Sequence, residues 1–175
     1  MKKALFVLGV MMLAMSLAGP AMALKEMKGM WGPGYFTPNA PVGIRYWLAP
    51  KAAMDVGVGF YTADLDGKTK SGFAFDVGVP FVLAGGESTL FFVRPGIEFS
   101  SDPVNADDSS TTFLVRGSLG VEHFFSDRFS VQVAHGLYYQ SYDPGIPDSD
   151  TSSSFNTEAF GISSIGFHYY LWPMK

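Results

Sequence analysis

From residue 42 onward, apolar and polar side chains alternate with a period of two almost without interruption. No window sustains the i, i+3, i+4 spacing of an amphipathic helix. The alternation predicts strands over 42–48, 54–61, 72–81, 89–99, 111–124 and 128–139, with a last strand ending at Trp172. Gly, Pro, Asp and Ser punctuate every break, as turn chemistry requires. The breaks at 49–52, 85–86 and 125–127 are short, whereas those at 62–70, 100–110 and 140–153 are long and polar. Short and long connections alternate, so antiparallel neighbours place all the short turns at one end and all the long loops at the other.

Each strand splits into two faces, because successive side chains point to opposite sides. One parity reads Val42, Ile44, Tyr46, Leu48, then Met54, Val56, Val58, Phe60, and continues apolar to Val131, Val133, Leu137. The other carries Arg45, Asp55, Asp76, Arg94, Glu98, Arg116, Glu122 and Gln132, interleaved with glycines such as Gly43, Gly57, Gly59, Gly78 and Gly120. Every charge within these strands falls on that second parity. A soluble barrel of lipocalin type places the apolar face inside, whereas a membrane barrel turns it to lipid and fills its lumen with the polar face. Three features favour the membrane arrangement. The polar face is rich in glycine and poor in lysine, which suits a narrow interior. Three arginines stand against four carboxylates, so the charges can pair. Aromatics collect near strand ends, at Tyr46, Trp47, Tyr61, Phe81, Phe99, Phe124, Tyr138, Tyr139, Tyr169, Tyr170 and Trp172, where a lipid–water boundary takes Tyr and Trp.

A sheet in hydrocarbon must close on itself, and single-chain bacterial barrels have an even number of strands. An eighth strand is therefore expected within residues 25–36, although K-E-M-K-G-M-W-G-P-G-Y-F is a poor strand by pattern. The fold expected is all-β, an eight-stranded antiparallel up-and-down transmembrane barrel. Pro95, inside a strand, would delete a ladder bond and runs against this reading.

The N-terminus changes the picture of location. Lys2 and Lys3 precede an apolar run, Gly19-Pro20 breaks it, and Ala21-Met22-Ala23 supplies small residues. This reads as a secretory signal over 1–23, cleaved after Ala23, with the barrel domain over 24–175. Loss of the two lysines takes the formal charge from −4 to −6. No basic cluster remains, so nucleic acid is not an expected partner. The chain has no cysteine, which excludes disulfide scaffolds, thiol redox chemistry and thiolate metal sites. Aromatics reach 15%, charged residues only 16%, and mean hydropathy is +0.17, below the ~25% charge of an ordinary globular domain.

On these residues the chain resembles the small bacterial outer-membrane β-barrels, the OmpA-like and OmpX-like eight-stranded group. The resemblance covers residues 42–172. Residues 43–60, G-I-R-Y-W-L-A-P-K-A-A-M-D-V-G-V-G-F, look like the opening hairpin of such proteins. The last strand is similar to their assembly signal, which would fall on Ser164, Gly166, Tyr169 and Leu171. The chain departs from that pattern by continuing past Trp172 with Pro-Met-Lys. The resemblance implies outer-membrane lipid and the barrel-assembly machinery as partners, and a monomer. It does not supply a function, because the group is diverse.

Candidate chemistry is sparse. His135 falls on the lipid-facing parity and His168 on the lumen parity. H-F-F-S, residues 123–126, approaches a His–Ser pair but sits at the short-turn end. D-L-D-G-K-T at 64–69 and D-S-D-T-S at 148–152 resemble calcium loops but lack the later glutamate of a full loop. Asp102, Asp107, Asp108, Asp143, Asp148 and Asp150 would form an acidic outer rim, able in principle to bridge divalent cations. No catalytic residue, metal or cofactor is expected. The first reading is a non-enzymatic structural or surface-interaction barrel, held by Arg45, Asp55, Asp76, Arg94, Glu98, Arg116 and Glu122. A soluble lipocalin-like carrier and a lipid-modifying outer-membrane enzyme are the alternatives.

Overall fold

The computed structural model describes residues 27–105, 107–157 and 164–171. The segment 1–23, where a secretory signal is expected, lies outside them, as do Trp172 and the last three residues. Ten strand segments follow one another: β1 (Trp31–Tyr35), β2 (Val42–Ala49), β3 (Ala52–Leu65), β4 (Lys68–Gly78), β5 (Phe81–Gly85), β6 (Thr89–Pro103), β7 (Ser109–Phe124), β8 (Phe129–Asp143), β9 (Ser152–Thr157) and β10 (Ser164–Tyr169). All pairings are antiparallel. β10 pairs with both β1 and β8, which closes the sheet into an eight-stranded barrel. No helix occurs among the described residues.

Eight staves arise from ten segments because β4 with β5, and β9 with β10, each make up one stave. β4 and β5 are one stave whose register against β6 holds across the gap between them, Gly78 facing Gly96 and Phe81 facing Val93, and shifts only beyond Val82. The gap falls at Val79-Pro80, opposite Pro95. Val79 N–H donates to the Pro95 carbonyl at 2.9 Å, and Ala53 N–H donates to the Pro80 carbonyl at 3.0 Å. Each proline lacks the N–H that would return the bond. Pro95 therefore costs a rung without shifting the strands. β9 and β10 form the eighth stave.

The expected strand within 25–36 is β1, short and with Pro33 inside it, opposite Ile44. The three long polar connections are corrected. Residues 62–70 are mostly hairpin, with Leu65 opposite Lys68 and a two-residue turn at Asp66-Gly67. Both turn residues have positive φ, 51° and 74°, as a type I′ hairpin turn demands. β6 and β7 run out to Pro103 and Ser109, and β8 and β9 to Asp143 and Ser152, leaving loops at 104–108 and 144–151. Polar sequence that reads as loop is here strand that overhangs the barrel. The asymmetry between the two ends lies in these overhangs more than in loop length.

The faces are resolved by burial. Along β2 the pattern alternates strictly, with Val42, Ile44, Tyr46 and Leu48 exposed and Gly43, Arg45 and Trp47 buried. The same sense holds around the barrel: Val56, Phe75, Ile97, Leu119, Val133 and Phe167 face out, while Asp55, Asp76, Glu98, Glu122, Gln132 and His168 are buried. The apolar face is the exterior.

Candidate functional site

The barrel interior is built in three layers. At the turn end, Met27, Met30, Trp47, Ala53, Val82, Leu90, Phe124 and Tyr170 form an apolar floor. Residues 27–30 fold under the barrel, with Gly29 N–H on the Trp47 carbonyl and Trp47 N–H on the Met30 carbonyl, both 2.9 Å. Phe124 and Tyr170 stack at 5.7 Å. The sequence reading that puts Trp47, Phe124 and Tyr170 at a lipid boundary is corrected. They point inward, on the same parity as Arg45, Glu122 and His168.

Above the floor lies the charge layer. Arg45 holds Asp55 through Nε and Nη2, at 2.6 and 2.8 Å, and donates from Nη1 to Glu122 at 2.7 Å and from Nη2 to Gln132 at 3.0 Å. Arg94 reaches Asp55 at 2.7 Å and also binds Asp76. Glu122 further accepts from Ser130 at 2.5 Å and from the Tyr170 hydroxyl at 2.8 Å, which ties the layer to the floor. Arg116 pairs with Glu98 at 2.5 Å, one level nearer the loop end. All seven charged residues singled out in the sequence meet in these ion pairs. Buried charge demands such pairing. The inner glycines make room for it: a Cβ on Gly78 would strike the Arg94 guanidinium, and one on Gly120 the Phe92 ring. Phe92 and Phe36 flank Arg45, with ring centroids 5.9 and 6.0 Å from its Cζ.

The third layer has no counterpart in the strand pattern. The β1–β2 connection, residues 36–41, folds into the loop end of the barrel. Phe36, Thr37 and Ala40 are buried, Phe36 packs edge-on to His168 at 5.0 Å, and Asn39 Nδ2 donates to Glu98 at 2.7 Å. Gly43, Gly57 and Gly59 are the space it occupies: a Cβ on Gly43 would meet the Phe36 ring, one on Gly57 the Ala40 carbonyl, and one on Gly59 the Asn39 carbonyl. The signal that could have revealed this plug is the glycine run on the inner parity of β2 and β3, beside a connection with two prolines and no strand pattern.

The remaining candidates scatter. His123 bonds Thr89 across strands through Nδ1 at 2.9 Å, while Ser126 Oγ caps the 125–128 turn by accepting from Phe129 N–H at 3.1 Å. His135 stands on the outer face of β8 opposite Leu119. In D-L-D-G-K-T, Asp64 accepts from Thr69 at 2.7 Å across the hairpin. Among the described residues no three His, Cys, Asp or Glu side chains stand together as a metal site. On β10, Gly166 is buried and Tyr169 exposed, and Leu171 N–H bonds the Trp31 carbonyl at 2.7 Å. Ser164 lies opposite Ala134.

The exterior has its own order. Near the loop end the outward rows of six of the eight staves end in an aromatic, and the next outward residue carries a hydroxyl: Phe60 then Thr62, Phe73 then Ser71, Phe99 then Ser101, Phe113 then Thr111, Tyr139 then Ser141, Phe155 then Ser153. No family model, curated protein or solved structure matches the chain.

Proposed function

We propose that this chain is a small, sealed β-barrel of a bacterial outer membrane, non-enzymatic and monomeric, with a structural or surface-interaction role at its loop end. The observation that carries the reading is the exterior band. On β8 it runs from Phe129 to Tyr139, ten residues on. At ~3.4 Å per residue that is ~34 Å of strand, and at a tilt of ~40° about 26 Å of height, against the ~25 Å apolar band of outer-membrane barrels. The sixfold switch from aromatic to hydroxyl gives the band a sharp outer limit, the form expected of an interfacial girdle. A lipocalin-like carrier needs the reverse arrangement, Val and Phe around an internal pocket.

Floor, ion pairs and plug fill the lumen in series, which supports a wall or anchor rather than a pore. The overhanging hairpins and the loops at 104–108 and 144–151 carry Asp107, Asp108, Asp148 and Asp150. They would face the cell exterior, having crossed with the assembly machinery reading Ser164, Gly166, Tyr169 and Leu171. The test is fractionation followed by a gel. Outer membranes run in SDS with and without boiling should give a band that moves on heating. Recovery in the soluble periplasm without such a shift would overturn the reading.

A further inference from the structure

The structure carries a second, smaller site: we infer that a cavity between the plug and the loop end of the wall binds one neutral pyranose ring. The cavity encloses about 160 Å³, room for roughly five waters and well short of the ~300 Å³ of a drug-sized pocket. It lies where the barrel wall is lowest. β2 pairs with β3 only up to Val42–Val58, so the β2-side edge of β3 beyond Val58 has no strand partner among the described residues.

Tyr61 is the platform. It stands opposite Gly72 on β4, and a Cβ there would run into the tyrosine ring. The ring therefore packs over the glycine, and its hydroxyl is tied to Asp102. The residue remains 44% exposed and lines the cavity. A fixed, part-exposed aromatic ring suits the C–H face of a sugar, apolar body to apolar body. Pro41 from the plug supplies a second apolar wall.

The polar groups around the ring are mostly acceptors. Asp102 takes the Tyr61 hydroxyl on one oxygen and Ser100 Oγ on the other, at 3.2 Å, and a carboxylate has about four acceptor sites. Asn39 gives one N–H of its Nδ2 to Glu98, which leaves its side-chain oxygen to accept and one N–H to donate. A ligand rich in hydroxyl donors satisfies this set. An anion would meet Asp102. Among the described residues a cation would find no second free carboxylate in the lining beside Asp102, since Glu98 is held by Arg116. The bound ring could come from the headgroup of an outer-leaflet glycolipid or from a free glycan. That choice of source, though not the binding, rests on the outer-membrane reading.

The experiment uses the folded chain in an amine-oxide detergent, free of sugar. The probes are methyl glycosides of glucose, galactose, mannose and N-acetylglucosamine, followed by saturation-transfer NMR. A second arm titrates the same detergent-solubilised chain with lipopolysaccharide. Binding to a free glycoside, or only to the lipopolysaccharide, supports the site and tells the two sources apart. Tyr61→Ala and Asp102→Asn should each weaken it by about tenfold or more, with Tyr61→Phe, which keeps the ring, weakened less. Heat-shifted mobility on the gel confirms that each variant is folded. If Tyr61→Ala fails that check, Tyr61→Phe and Asp102→Asn decide. Folded protein that binds no probe, or variants that bind unchanged, would overturn the inference. A barrel that binds sugar yet fractionates outside the outer membrane would sink the envelope reading alone.

Discussion

Arg45 and Asp55 are direct cross-strand partners on β2 and β3, and the guanidinium grips both carboxylate oxygens at 2.6 and 2.8 Å. The same guanidinium reaches Glu122 and Gln132 on the far wall, so one side chain bridges the lumen. Arg45→Met removes the hub and leaves Asp55 and Glu122 buried with fewer partners. Loss of one member of a buried pair costs about 3–5 kcal/mol. Urea unfolding of protein refolded into phosphatidylcholine vesicles should show a drop of that size. Arg116→Met, in a pair that is partly exposed, should cost less. Equal losses would mean that the layer is not organised around Arg45.

Leu119 is 63% exposed near the middle of the exterior band, and Ser141 lies one outward step beyond its aromatic limit at Tyr139. Arginine at the bilayer midplane of a barrel costs about 2–4 kcal/mol, and near the interface about 0–1. Leu119→Arg should therefore destabilise the vesicle-embedded protein by several kcal/mol while Ser141→Arg changes little. For a soluble barrel both are surface substitutions worth about ±0.5 kcal/mol. The difference between the two variants is thus a direct reading of what surrounds the exterior.

How much of this was legible in the sequence follows from what parity can and cannot say. The period of two placed Arg45, Asp55, Asp76, Arg94, Glu98, Arg116 and Glu122 on one face, and closure brought them together. Parity also put Trp47 beside Arg45 and Tyr170 beside His168, which already marks them as inward; their chemistry suggested a boundary and masked the floor. Residues 36–41 have no period, so their fold into the lumen was visible only as missing side chains at Gly43, Gly57 and Gly59. The overhangs escape a reading by composition because Thr, Ser, Asp and Lys beyond the girdle resemble loop sequence, although hairpin pairing continues to Leu65 and Pro103.

The plug has a simple chemical handle, because the chain contains no cysteine. Ala40 is fully buried. Ala40→Cys should resist maleimide in the folded barrel and react once urea unfolds it. Adding Gly57→Val to that variant puts three carbons where a lone Cβ already stands 2.9 Å from the Ala40 carbonyl. The plug cannot stay in place, so the introduced thiol should become reactive while the gel shift on heating persists. Continued protection would show that the lumen accommodates the valine by moving the strand instead.

Pro95 offers the last test, of a cost the fold carries in its wall. Val79 N–H already reaches the Pro95 carbonyl at 2.9 Å, and the strands hold one register through this point. The only missing element is a donor at position 95. Pro95→Val supplies it opposite the Val79 carbonyl, and Val suits an exterior strand position. One added hydrogen bond is worth about 0.5–1.5 kcal/mol. Loss of the proline's restriction on the unfolded chain takes back about 0.4–1 kcal/mol. The net should be a small gain, within about 1 kcal/mol of zero, although a proline has been replaced in the middle of a strand. The sharper readout is hydrogen exchange. The new amide at position 95 should exchange as slowly as its neighbours in β6. Fast exchange there would mean that Val79 and position 95 are held apart by Pro80 next door, and that the wall is locally open where two prolines meet.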